Sequence, residues 1–383
     1  LARIGFVASY SDGGRSGVGQ YEINLARRLP QFGSAHDFIV FAREDQADSF
    51  RADGLEIITY PAKHKGALKN LLWHHTGLHR LAKKAHLDLL HLSTQQRLIW
   101  RRPCRRVTAT IHDLGTYHIA NKYGRLRDFY LKKFGPICAR RADALTSVSA
   151  FTKGDLIDLW HIRPQKIEVV FDGIDEKCFA KADPAKARAS LAERFALPEK
   201  YFLYIARLDH PSKNHVNLLE AFDIFRRRGG SDYGLVLAGS KWYSANVIFD
   251  KVKELGLGKN VIFTDFVSNA DASALITCAA VFVFPSLFEG FGIPPLEAMA
   301  AGVPVACSNV ASIPEVVGDA ALTYDPRKPE EIADALFKIT GDDGLRHSLI
   351  EKGEQRAAKF TWDNTARATV EFFDKVLAGH YDI

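Results

Sequence analysis

Two spacings of apolar residues alternate through this chain. Short, largely β-branched runs occupy residues 3–9, 37–42, 55–60, 87–93, 106–113, 144–149 and 167–171, and their length predicts buried strands. Between them apolar residues return every three or four positions, notably over 21–33 and 125–142, which predicts amphipathic helices. The strand signal lapses through "AKADPAKARASLAERFALPEK", a charged stretch that predicts a helical connector, and then resumes over 201–207, 233–239, 260–267, 280–286, 303–308 and 321–325. Strands alternating with helices predict α/β domains with parallel sheets. A chain of 383 residues is long for one core. We therefore expect two Rossmann-like domains, residues 1–178 and 179–363, with a last helix at 364–383 packing back onto the first.

Composition narrows the class. At 47% hydrophobic and 25% charged residues the chain is globular. It has no apolar run long enough to cross a bilayer, and its first residues lack a signal-peptide pattern. The cysteines Cys104, Cys138, Cys178, Cys278 and Cys307 lack paired spacing for zinc or redox chemistry, so a reducing, cytoplasmic setting is expected. Residues 1–180 hold 28 Lys+Arg against 18 Asp+Glu, and the remainder 23 against 27. The excess gathers in "KHKGALKNLLWHHTGLHRLAKKAH" and "RLIWRRPCRR", with Trp73 and Trp100 among the cations. A solvated face is the default reading of such runs. Anionic lipid headgroups come next, since Trp beside Lys and Arg suits an interface. Nucleic acid is not expected, because no nucleic-acid motif accompanies the charge.

In open parallel sheets ligands bind beyond the carboxyl ends of strands, and four motifs fall there. In "ASYSDGGRSGVGQYEINLARRL", Gly13, Gly14, Gly17 and Gly19 lead from the first strand into a helix, so backbone N–H groups can face an anion. The spacing is neither that of a dinucleotide fingerprint nor of a P-loop, and a flexible turn explains it as well. In "TATIHDLGTYH", His112 and Asp113 follow a strand, where a side chain would look out of the sheet rather than into the core. In "ARLDHPSKN", Arg207 and Lys213 flank the entry to a helix and suit a diphosphate, or are solvated cations. In "FPSLFEGFGIPPLEAMAAGVPV", Pro294 and Pro295 predict a helix start that puts Glu297 in the first turn and leaves Glu289 in the loop. Taken singly, Glu297 is a carboxylate at a helix dipole and Glu289 a solvated acid.

Together these segments resemble the retaining glycosyltransferases of family 4, which have the GT-B fold of two Rossmann-like domains facing across a substrate cleft. The resemblance runs from the glycine loop to "FTWDNTA", and is most specific in "FPSLFEGFGIPPLEAMAAGVPVACSNVASIPEVVGDAAL", with "VSAFTKGDL" and "VVFDGID" in the family's order. It implies a nucleotide-sugar donor held by the carboxyl-terminal domain. Arg207 and Lys213 would neutralise its diphosphate, Glu289 would bind the sugar hydroxyls, and Glu297 the ribose diol. The backbone of Gly290, Phe291, Gly292 and Ile293 would approach sugar and phosphate. Gly14 would let the amino-terminal domain close on the phosphates, and His112 would line the reacting sugar, with Gly17, Asp113 and Tyr117 on the acceptor side. The sequence has no Asp-x-Asp triplet to hold a metal, so the implied reaction needs neither metal nor other cofactor.

The resemblance is closest to bacterial mannosyltransferases that use GDP-mannose in O-antigen or exopolysaccharide assembly. It implies a saccharide acceptor, and the basic, Trp-bearing amino-terminal domain fits one that is polyprenyl-diphosphate-linked and met at the inner face of the cytoplasmic membrane. Alternatives are a UDP-, ADP- or dTDP-sugar donor, or a nucleotide-sugar epimerase on the same fold. A nicotinamide dehydrogenase would need an acid after the second strand, which Glu44 and Asp45 supply only loosely.

Overall fold

The computed structural model describes residues 1–9, 13–14, 16–64, 67–120, 122, 124–179, 183–192, 194–242 and 244–382. The chain forms two compact units, residues 1–173 with 361–383, and residues 174–360.

The first unit is built on seven parallel strands: β1 (Arg3–Val7), β2 (Asp37–Arg43), β3 (Leu55–Tyr60), β4 (Leu89–Leu92), β5 (Arg106–Ile111), β6 (Ala144–Ser147) and β7 (Ile167–Val169), in the order β3-β2-β1-β4-β5-β6-β7. Every residue of β4, β5 and β6 is buried, because helices cover both faces of the sheet, which is why these strands read as apolar runs rather than alternations. One apolar layer joins Trp73, Leu78, Leu90, Ile111 and Trp160, and the other joins Phe6, Tyr21, Leu25, Phe38 and Phe373. The polar residues in this core satisfy one another: His91 bonds the hydroxyls of Thr108 (2.9 Å) and Thr110 (3.0 Å), and Thr110 that of Thr146 (2.7 Å).

The last helix, Trp362–Leu377, belongs to this unit. Thr361 caps it by accepting the Asn364 N–H. Its buried face, including Trp362, Ala366, Val370 and Phe373, joins the layer that contains the first helix, Gly17–Phe32. Arg28 to Asp363 (2.9 Å) ties the two helices. Trp73 corrects the reading of the basic segment: it is buried, stacked on Tyr60 with ring centroids 3.7 Å apart, and anchors the core rather than an interface. Its helix, Ala67–Lys84, needs an apolar face to cover the sheet, and Trp73 lies on it.

The second unit has six parallel strands: β8 (Lys200–Ile205), β9 (Tyr233–Ala238), β10 (Val261–Phe263), β11 (Val281–Phe284), β12 (Val305–Ser308) and β13 (Leu322–Tyr324), ordered β10-β9-β8-β11-β12-β13. A helix at Pro184–Ala192 forms within the charged connector. Both sheets share one consequence of their winding. The order reverses between β1 and β4 in the first and between β8 and β11 in the second, so a crevice opens there beyond the carboxyl ends of adjacent strands.

Candidate active site

In the second unit the loops leaving β8 and β11 are tied together at that reversal. The Leu287 N–H donates to the Ser212 carbonyl (3.1 Å), and the Asn214 amide to the Pro285 carbonyl (3.0 Å). The Tyr204 hydroxyl, on β8, donates to the Lys213 carbonyl (2.9 Å). On this frame the Lys213 ammonium meets the Glu289 carboxylate at 2.6 Å, each side chain 18% exposed.

The Glu289 loop has a fixed orientation. The Ser312 hydroxyl lies 3.0 Å from the Glu289 carbonyl and 2.8 Å from that of Phe291. A trans peptide sets its N–H opposite its carbonyl, so the N–H groups of Gly290 and Gly292 point away from Ser312. Gly292 precedes the helix Ile293–Ala300 with φ +114°, and a Cβ there would stand 2.7 Å from Ile313 Cδ1. Conformation and space both require glycine.

The helix begins at Ile293, so Glu297 is its fifth residue, just past the first turn in which the prolines predict it. A helix dipole therefore does not account for it. Its carboxyl makes no hydrogen bond among the described residues, and burial, then the charge of Asp175, push its pKa up to about 7. Arg207 leaves the end of β8 exposed, its guanidinium stacked on Trp242 at 4.6 Å. The guanidinium makes no hydrogen bond or ion pair among the described residues, so its planar donors are unspent. Trp242 stands in "SKWYSAN", of which Tyr243 lies outside the described residues.

In the first unit the corresponding crevice gathers the glycine loop, Ser93 and His112. Tyr10, Ser11, Asp12 and Arg15 of that loop lie outside the described residues. Gly13 (φ +74°) and Gly14 (φ +77°) are both left-handed, and the Gly14 carbonyl accepts from the Gln20 amide (2.6 Å). Gly17 opens the first helix, whose cap is the Ser16 hydroxyl accepting from Gly19 N–H (3.2 Å).

His112 corrects the expectation of an outward side chain. Its ring is buried, edge-on to Tyr21 at 4.7 Å, and its Nε2 lies 2.9 Å from the Ser93 carbonyl. Burial keeps the imidazole neutral by lowering its pKa. A carbonyl only accepts, so the proton sits on Nε2 and Nδ1 keeps its lone pair. Burial pushes Asp113 up, but the Lys122 ammonium 3.1 Å away and the Gly115 N–H outweigh it and hold the carboxyl below its usual range. Tyr117 packs against the core, its hydroxyl donating to the Lys132 carbonyl (3.2 Å) and accepting from Trp160 Nε1 (3.2 Å). Its polar atom is thus committed to the protein.

Glu22, on the first helix, lies past the glycines of the first strand-end motif. It is fully buried, and its carboxylate accepts from the Ser9 N–H (2.8 Å) and the Ser93 hydroxyl (2.5 Å). The signal for it was present: Glu22 sits three and seven positions before Leu25 and Leu29, on the apolar stripe of its helix. An acid there needs partners.

Among the described residues no cluster of three or more His, Cys, Asp or Glu could hold a metal ion, and no helix is long and apolar enough to cross a membrane.

Comparison with known proteins finds two family profiles. Residues 15–177 match "Glycosyltransferase Family 4" and residues 188–356 match "Glycosyl transferases group 1". The chain is similar to O-antigen chain mannosyltransferase B of Escherichia coli, 26% identical over 368 residues, 94% of this chain and 96% of the relative. It is also similar to the serotype-specific mannosyltransferase WbdA of Escherichia coli, 32% identical over 254 residues. That match covers 66% of this chain and 31% of WbdA, so the chain spans about a third of that longer relative. Among solved structures, sucrose-phosphate synthase of Thermosynechococcus elongatus superposes with a TM-score of 0.78 at 20% identity, covering 99% of this chain and 100% of the other. This likeness shows the fold, GT-B.

Proposed function

Because this chain belongs to the family 4 glycosyltransferases, a family of hexosyl-transferring enzymes, we propose that it moves mannose from GDP-mannose to a saccharide acceptor, with retention and without a metal. The observation that carries the donor site is the Lys213–Glu289 pair at the β8/β11 reversal, with the unspent Arg207 and Glu297 in the same unit. The names of the mannosyltransferase relatives support mannose.

The chemistry follows from where charge develops. As the bond between the anomeric carbon and the diphosphate oxygen breaks, positive charge grows on the sugar ring and negative charge on the leaving group. Lys213 and Arg207 are the fixed cations for that group, the role a metal plays in other transferases. Glu289 accepts sugar hydroxyls, Glu297 accepts the ribose diol, and the Nδ1 lone pair of His112 accepts a hydroxyl of the reacting sugar. The acceptor oxygen attacks the face that the diphosphate leaves, and its proton passes to a departing phosphate oxygen. The test is a thermal-shift screen of GDP-, UDP-, ADP- and dTDP-sugars: GDP-mannose is expected to stabilise the chain most, and a stronger response to another base overturns this donor.

The acceptor is proposed to be carried on polyprenyl diphosphate, with the enzyme peripheral on the cytoplasmic membrane face. One surface supports this. The helix Arg125–Arg141 exposes Leu126 (88%), Phe129 (58%), Phe134 and Ile137, with Lys132 and Lys133 beside them, and its Arg141 stacks on the half-exposed Trp100 at 4.5 Å. Apolar side chains rimmed by cations fit an anionic bilayer surface. Co-sedimentation with anionic vesicles is expected to fall with rising salt and to be lost in Leu126→Glu/Phe129→Glu. Equal binding to zwitterionic vesicles, or none to anionic ones, contradicts it.

A further inference from the structure

Glu22 is a buried acid that the transfer chemistry above does not use, and its placement is specific. Ser9 follows β1 and Ser93 follows β4, the two strands between which the first sheet reverses its order. One carboxylate oxygen, Oε1, receives both the Ser9 N–H (2.8 Å) and the Ser93 hydroxyl (2.5 Å), so Glu22 joins the two strand ends that border the crevice. The Ser9 side is held again from outside the sheet: His74 Nδ1 lies 2.7 Å from the Asn70 carbonyl and its Nε2 lies 2.9 Å from Ser9 Oγ. The Asn70 carbonyl needs a donor, so Nδ1 carries the proton and Nε2 accepts from the Ser9 hydroxyl.

Ser93 has a second tie. Its carbonyl is the acceptor for His112 Nε2 at 2.9 Å. The His112 ring is also fixed by the Tyr21 ring, edge-on at 4.7 Å, and Tyr21 is itself fixed through its hydroxyl to Thr110 (2.6 Å). The imidazole therefore has its plane set by Tyr21 and its tautomer set by Ser93. His112 Nδ1 is left without a hydrogen bond among the described residues.

We propose that Glu22 is a positioning residue for the transfer reaction: by clasping Ser93 it keeps the Ser93 carbonyl on His112 Nε2, and so keeps the Nδ1 lone pair presented to a sugar hydroxyl. The inference rests on the role given to His112 above. Positioning of this kind acts on turnover, because a misplaced or wrongly protonated ring no longer matches the reacting hydroxyl. It changes donor affinity by no more than one hydrogen bond to the sugar, since the donor's diphosphate and ribose are assigned to residues of the other unit.

The experiment is to read the ring nitrogens of His112 by 15N NMR, together with kcat and donor Kd, in the unmodified chain and in Ser93→Ala, Glu22→Leu and Glu22→Gln. The unmodified chain is expected to show the Nε2–H tautomer alone. Ser93→Ala, which keeps the carbonyl but loses the clasp, and Glu22→Leu are expected to show mixed tautomers, with kcat lower by on the order of tenfold to a hundredfold and donor Kd raised by only a few-fold, roughly what one hydrogen bond to the sugar is worth. Glu22→Gln keeps an oxygen that accepts from both serines and is expected to restore most of both readings. If Glu22→Leu does not fold, Ser93→Ala decides alone. An unmodified chain with mixed tautomers, a tautomer unmoved in Ser93→Ala, or mixed tautomers with unchanged kcat each overturns the proposal. No transfer by the unmodified chain from any nucleotide sugar would instead defeat the role assigned to His112, while the tautomer measurement still judges the clasp.

Discussion

Replacing Lys213 with alanine is expected to lower turnover by about a hundredfold to a thousandfold, the range for losing one donor or cation at a developing negative charge. Lys213 is held for this role by the chain around it. Its carbonyl is bound by Tyr204, the next residue, Asn214, bonds the β11 loop, and its ammonium sits on Glu289 at 2.6 Å. Glu289→Ala is expected to lose turnover comparably, because it removes the acceptor for sugar hydroxyls and releases Lys213 from its orientation. Neither variant should unfold the chain, since both side chains retain some exposure and neither fills an apolar layer. Kinetics in buffer containing EDTA, with circular dichroism of each variant, separate the cases. A protein that only binds saccharide would tolerate both substitutions, and wild-type turnover in either variant would contradict the assignment.

Donor affinity is expected to weaken about tenfold between pH 8 and pH 6, from a single group titrating near 7. Burial and the charge of Asp175 raise Glu297 to about 7. The ribose diol donates hydrogen bonds, so it favours the ionised carboxylate, which is present above 7 and lost as pH falls through it. Stability of the donor-free chain runs the other way. A carboxyl raised above its unfolded value contributes stability fully present below the free glutamate pKa, and that contribution is lost as pH rises through 7. Glu297→Gln is expected to bind donor weakly at every pH and to flatten both slopes. Calorimetric titrations at pH 6, 7 and 8 check this, and a slope that survives in Glu297→Gln assigns it to another group.

The parallel sheets were legible because buried strands leave uninterrupted apolar runs, and thirteen strands fall on the runs at 3–9 through 321–325. The positions of Arg207, Lys213 and Glu289 at strand ends were legible for the same reason. What pairs with what was not. Lys213 and Glu289 are 76 residues apart and meet only because β8 and β11 are neighbours in the sheet. Trp73 looked like an interface residue because its flanking cations are exposed on the other side of the same helix, a distinction that depends on helical phase rather than composition. His112 turned inward because the Ser93 carbonyl, on the adjacent strand end, offers its ring a partner. Glu22 was legible in principle as an acid on an apolar stripe, but its partners come from the segments that follow β1 and β4.

Transfer from GDP-mannose to a saccharide acceptor, in excess EDTA and followed through the anomeric proton resonances, bears on donor, stereochemistry and metal at once. A mannosylated acceptor that keeps the donor's anomeric configuration is the outcome foreseen here. An inverted product, turnover that returns only with a divalent ion, or a new free sugar formed from the donor without acceptor would contradict it.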